Sequence, residues 1–315
     1  MGSFPECAKS SLTAIIPLLP AWLESAIEES KREDDRDEGW TVQLLNREAR
    51  TTLWNMCRIF HASDDGIPGQ ACRLLERYIS AQSRHYSSLN IGALEWQLIK
   101  MRMSAQMPRA FATCIQLASK MNNRKRYCDT KMIHRYLQSY DAELSIKAIT
   151  DFEFTVYKEL EFRIPLWTSV QLAEALALMI GMPHSLLRNI ALLVNYAEYK
   201  RVELDELVRN AVVGLTHCVN SHAHPMTLRT LHLAAACVCA ITKDKHSDCY
   251  KGPNPLGKLA QMVQVSMCYL HCVSNIIFQH VLLDYPCTCS KQAKKRSLET
   301  DTNQSPTKEK QAKLQ

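Results

Sequence analysis

The residues best suited to chemistry in this chain are its thirteen cysteines and eleven histidines. A zinc site would need four such donors at short, matched spacings, because the ion is held tetrahedrally. His217, Cys218, His222 and His224 crowd one stretch. Cys268, His271 and Cys272 crowd another, and Cys287 and Cys289 a third. None shows Cys-x-x-Cys spacing answered by a second matching pair. A nucleophilic cysteine would need a local signature beside a histidine base, and no such signature is present. Glycine is scarce, at 9 residues, and there is neither a Gly-x-Gly-x-x-Gly stretch nor a P-loop sequence. That argues against phosphate-cradling loops. The expectation is no metal, no cofactor and no catalytic centre.

The cysteines read better as packing groups. Cys57, Cys72, Cys114, Cys237 and Cys239 sit inside apolar helical runs, where a free thiol behaves as a small hydrophobe. An odd count in a chain of 315 residues fits a reduced compartment. The formal net charge of +6 is unevenly spread. Residues 24–38 are acidic and the last 25 are basic, while the middle is nearly balanced. A neutral body does not suit a dedicated nucleic-acid fold, so no direct sequence-specific nucleic-acid contact is expected. In the tail, Lys294, Lys295 and Arg296, with Lys291 nearby, have the form of a nuclear import signal. Ser305-Pro-Thr-Lys308 has the Ser-Pro-x-Lys form that proline-directed kinases prefer, and a phosphate there would add up to about two negative charges. The plain alternatives are a solubilising charge cluster and an unused Ser-Pro. The apolar stretch 12–23 is broken by Pro17 and Pro20 and runs into acidic residues, unlike a secretory leader. No 18-residue apolar run is present, so no membrane span is expected.

The elements that would position these groups are helices. Hydrophobic residues make up 46% of the chain, enough for a sizeable core. Period-2 alternation is nearly absent, and 3.6-period stripes are common, so the fold class is all-α. Residues 43–61 place Leu44, Leu45, Leu53, Met56, Cys57 and Phe60 on one side. Residues 68–80 open with Pro68 and place Ala71, Leu74, Leu75 and Tyr78 on one face. Pro108, Pro183 and Pro225 are also read as helix starts, where a missing N–H costs little. Residues 109–121 and 229–241 are apolar almost all round and rich in Ala and Cys. Such a helix is enclosed by others, and its small residues let neighbours approach closely. The pattern predicts two similar helical domains, each wrapped around one central helix.

The expected organisation is an N-terminal extension at 1–41, with an amphipathic helix at 21–31 followed by acidic residues; the sequence leaves open whether it packs on the first helical domain or stands as a solvated extension. A first domain follows at 42–162, a link at 163–168 and a second domain at 169–285. A disordered basic tail completes the chain at 286–315. Residues 83–106 read as an insertion before the first central helix.

Three stretches carry a family resemblance. Residues 114–121, Cys-Ile-Gln-Leu-Ala-Ser-Lys-Met, resemble the Leu-Ala-Ser-Lys signature in the third helix of the cyclin box. Residues 150–162 resemble the fifth cyclin helix, with a glutamate ahead of a hydrophobic stripe and a Leu-x-Phe end. Residues 71–79 resemble the second helix. Their order and spacing match, and the likeness covers about residues 43–285. Within the cyclins it is closest to the cyclin N-terminal domain-containing group that acts in meiotic crossover formation. The resemblance implies tandem cyclin-box domains, the second more divergent. It also implies a non-catalytic role in the nucleus, on meiotic chromosomes. Expected partners are a cyclin-dependent kinase and meiotic recombination proteins at crossover sites.

In kinase-binding cyclins the motif lysine and the fifth-helix glutamate anchor the kinase. The matching positions are Lys120 and Glu153. A lysine closing a buried helix can bond the carbonyls of a docked partner helix, and the glutamate can receive its N–H or cationic groups. The plain alternative is a solvated Lys at its own helix end and a Glu on a polar face. For the substrate-docking groove, Trp54 matches the family's tryptophan, and Arg47 or Arg50 its arginine. The Ile-Leu pair of that groove is missing, and Met-Asn-Asn-Arg-Lys-Arg stands after Lys120 in place of the usual acidic pair. Partner binding is therefore expected ahead of kinase activation. The alternative is a cyclin-fold factor associated with nucleic acid or transcription.

Overall fold

The computed structural model describes residues 16–36, 44–89, 92–122, 128–214, 228–243 and 252–283. Among them are twelve α-helices and no strand: α1 (Leu19–Arg36), α2 (Arg47–Ile59), α3 (Ile67–Ser87), α4 (Ala93–Asn122), α5 (Thr130–Leu137), α6 (Ile146–Glu159), α7 (Ser169–Met179), α8 (Leu187–Tyr199), α9 (Arg201–Gly214), α10 (Thr230–Lys243), α11 (Leu256–Met262) and α12 (Met267–Ile277). The all-α expectation holds.

Local sequence sets the helix starts. Asn46, Asp129, Ser145 and Ser266 each accept a hydrogen bond from the backbone N–H three residues on, satisfying one of the first-turn donors. Thr168 and Gln171 form a reciprocal capping box at the start of α7. Gly66 precedes α3 at φ +77°, and a Cβ there would lie 2.8 Å from that of Thr168. Both facts require glycine.

Two hydrophobic cores result. The first runs from Leu45 to Leu160 and surrounds the second half of α4, where every residue from Ala110 to Ser119 is buried. The second surrounds α10, buried from Thr230 to Ile241. The thiols of Cys57, Cys72, Cys114, Cys237 and Cys239 are free and buried. Burial pushes their ionisation up, so they stay protonated and act as core filling.

One local expectation is corrected. Pro108 does not start a helix; it lies inside the thirty-residue α4. The proline has no N–H for the carbonyl of Ser104, but Ser104 is exposed, so water can take that place. The 83–106 stretch thus holds the end of α3 and the first half of α4. The N-terminal helix, whose place the sequence leaves open, packs on the second half of the chain. Ala26 and Ile27 enter the second core, Trp22 meets Trp167 at a tilt with ring centroids 4.8 Å apart, and Glu29 accepts from the N–H of Leu166. It packs on α7 and α10, away from the first core.

A polar seam joins the two halves. On α3, Gln70, Arg73 and Arg77 donate to the carbonyls of Pro165, Trp167 and Arg163, so one helix face holds every other carbonyl of the linker. Arg73 also donates to Thr230 of α10. Deeper in, Arg50 of α2 pairs with Glu76 of α3 at 2.8 Å and reaches the carbonyl of Glu198 on α8. Arg201 pairs with Glu198 and Asp205 and donates to the carbonyl of Leu228.

A carboxyl on α7 gives a pH prediction. Burial, then the like charge of Asp65, pushes the Glu174 carboxyl up to about 7 from its ordinary 4.5. The folded chain therefore holds this proton more tightly than the unfolded chain does. That contribution is full below about pH 4.5 and is lost as the pH rises to about 7. Glu174→Gln is expected to flatten this part of the profile, read as a smaller difference between urea midpoints at about pH 5 and about pH 8.

Candidate functional site: the Lys120–Glu153 edge

Lys120 stands in the last turn of α4, one residue beyond the buried run, because the helix leaves the core there. Its end is fixed by polar contacts. Ser119 accepts from the N–H of Cys128 at 2.9 Å, and Asn122 donates to the carbonyl of Ala118 and to Gln70. Gln116 donates to Thr130 at 3.0 Å, tying α4 to α5.

Helix α6 lies alongside α4. Ile149, Phe152, Val156 and Leu160 face the first core at helical spacing. Arg109 lies over the Phe152 ring at 5.5 Å and pairs with Asp141 at 3.6 Å, holding the other end of the contact. This register brings Glu153 to Lys120. The Nζ–Oε1 distance is 2.5 Å, with the lysine side chain 38% exposed and the glutamate 14%. The two residues meet each other, and the lysine keeps an open side.

An exposed aromatic surface begins at the next residue. Phe154 is 62% exposed and Phe162 is 53% exposed, with ring centroids 6.1 Å apart. Tyr157 meets Phe162 edge-on at 5.0 Å. The chain reaches Phe162 through two left-handed residues, Glu161 at φ +54° and Phe162 at φ +58°. The N–H groups of Glu161 and Phe162 donate to the carbonyls of Lys158 and Tyr157, closing the end of α6. A bulky residue at positive φ costs on the order of 1 kcal/mol. Here that backbone displays an aromatic ring to solvent.

These aromatics were missed as site residues. The signal was present: Phe154 falls off the 149–152–156–160 stripe, and Phe162 lies past the helix end. Together the groups offer one cation, one carboxylate and an exposed aromatic surface. That set suits the end of a partner helix, whose terminal carbonyls or N–H groups seek charge while its aliphatic side chains seek cover.

The proposed groove residues separate. Arg50 is corrected: its side chain is 2% exposed and committed to Glu76, so it is not available to an incoming chain. Arg47 is 75% exposed and lies 3.5 Å from Glu203. Trp54 is half-buried and meets Tyr199 edge-on at 5.6 Å. Arg47 and Trp54 thus meet α9 and α8, so this surface lies where the two halves meet.

Cys268, His271 and Cys272 are brought near one another by α12. Among the described residues, no three His, Cys, Asp or Glu side chains are grouped so as to hold an ion. His217, Cys218, His222, His224, Cys287 and Cys289 lie outside the described residues. So do residues 124–126, Lys294, Lys295, Arg296 and Ser305. Among the described residues, no single helix is long and apolar enough to cross a membrane. No family model matches the chain, and no curated protein matches it.

Proposed function

We propose that this chain is a non-catalytic, cyclin-like regulatory protein. It binds a cyclin-dependent kinase, recombination factors or both, and promotes meiotic crossover designation and maturation on chromosomes in the nucleus. The observation that carries this reading is the Lys120–Glu153 pair at the open edge of the first core, beside Phe154 and Phe162. The likeness of residues 114–121 and 150–162 to the third and fifth cyclin helices supplies the partner class. Two helical cores, each built round one apolar helix, agree with a tandem cyclin arrangement.

Docking here is a matter of surface, not of bond making. A partner helix would cover the two rings and bring its end groups to the charged pair. The pair is already formed, so little side-chain freedom remains to be lost on binding. Affinity purification from germ cells after nuclease treatment tests the reading. A cyclin-dependent kinase or recombination proteins should be recovered. Recovery of neither, with salt-dependent DNA binding by the full chain, would replace it with a nucleic-acid role.

A further inference from the structure

The linker peptide between Pro165 and Leu166 is held from both sides. Its carbonyl accepts from the side-chain amide of Gln70 on α3 at 2.6 Å, and its N–H donates to Glu29 of α1 at 3.2 Å. Gln70 is engaged at its other end as well. Its Oε1 accepts from Asn122, the last residue of α4 and two past Lys120. Asn122 also donates to the carbonyl of Ala118 at 3.0 Å. Four groups are thus bonded end to end: Asn122, Gln70, the linker peptide and Glu29. The two side-chain amides lie in the interior, Gln70 at 0% exposure and Asn122 at 6%.

The direction of these bonds is forced. Backbone carbonyls stand at Ala118 and Pro165, and a carbonyl can only accept. Gln70 must therefore turn its N–H group to Pro165 and its oxygen to Asn122, and Asn122 must turn its N–H group to Gln70. Every donor then points from α4 toward α1, and the series ends on a carboxylate. Aligned bonds polarise one another, by about 10–30% each, and a charged acceptor strengthens the bond it receives. Packing holds the line taut. A Cβ at Gly69 would lie 2.9 Å from Cγ of Glu198, so glycine lets α3 press on α8 and keeps Gln70 against the linker.

We infer that these groups form a conformational relay, through which seating of α1 on the second half tightens the end of α4 that carries Lys120. When Glu29 is in place, the linker peptide is fixed, Gln70 is fixed against it, and Asn122 pins the last turn of α4. When α1 lifts, the line loses its terminal acceptor and that turn loosens. The N-terminal helix thereby regulates the Lys120–Glu153 edge without touching its charged pair. The relay stands whatever docks at that edge.

Amide hydrogen exchange of the full chain, read by mass spectrometry, tests the relay. Glu29→Ala removes the terminal acceptor from α1, which packs on α7 and α10. It should nonetheless speed exchange at least about threefold at residues 119–122. Glu29→Gln keeps an acceptor oxygen and should stay within about twofold of the wild type. Glu28→Ala, at an exposed position of α1, should leave residues 119–122 unchanged. Gln70→Met breaks the line in its middle and should speed exchange at both 119–122 and 166–168. Residues 234–240, inside the buried α10, are the reference for global opening. Unchanged exchange at 119–122 in Glu29→Ala would overturn the inference, even with α1 itself loosened. An equal rise at 234–240 would also overturn it, as would a Glu29→Gln chain as loose as Glu29→Ala. No partner enters these readings, so their failure would leave the docking proposal standing, and the failure of that proposal would leave the relay.

Discussion

Arg50→Met is expected to cost about 3–5 kcal/mol of folding stability. The guanidinium is buried among groups that depend on it: Glu76 at 2.8 Å and the carbonyl of Glu198 at 3.4 Å. Methionine fills comparable space, so the loss is mainly electrostatic and not that of a cavity. Burial already pushes the Glu76 carboxyl up, and Arg50 is the strongest influence holding it down. Without the arginine, Glu76 must either stay charged without its partner or take up a proton. The second route opens as the pH falls, so the penalty should be smaller at about pH 5 than at about pH 8. Urea unfolding at the two values measures both effects. A loss below about 1 kcal/mol would show that the seam does not bind the two halves as described.

Phe154→Ala combined with Phe162→Gly is expected to weaken partner capture by at least about 2 kcal/mol, roughly thirtyfold. Stability should stay within about 1 kcal/mol of the wild type. Both rings are exposed, so their removal leaves no core cavity. Glycine at 162 also relieves the left-handed backbone while loosening the unfolded chain, and these effects oppose each other. A titration of purified partner against both proteins, beside their thermal midpoints, separates binding from folding. A fall in both together would make the rings part of the fold.

How much of this was legible in the sequence follows from which interactions are local. Helix faces, caps and the two enclosed helices follow from periodicity and from single residues such as Asn46, Ser145 and Thr168. The course of residues 83–122 was not legible, because Pro108 argues locally for a helix start. Helical hydrogen bonding carries through Pro108, and Met107 beside it packs against the first core. Nor was the place of α1: its apolar residues suit either core, and the tertiary contacts of Ala26 and Ile27 decide. At the site, residue types pointed to Lys120 and Glu153, but not to their contact. Arg47 and Arg50 have the same chemistry and differ by one helical turn. Only burial shows that Arg50 braces the fold and Arg47 faces water.

The most direct test of the Lys120–Glu153 edge is a charge-swap cycle on the full chain: wild type, Lys120→Glu, Glu153→Lys, and both together. The double variant keeps an ion pair across α4 and α6 but reverses the charge shown to a partner. Each single variant sets like charges against each other and should lower the thermal midpoint, and the double variant should recover it. Partner recovery from germ cells should nonetheless fall at least about thirtyfold in the double variant as well as in both singles. Full partner recovery by the double variant would contradict the account and leave the pair as an internal brace between two helices.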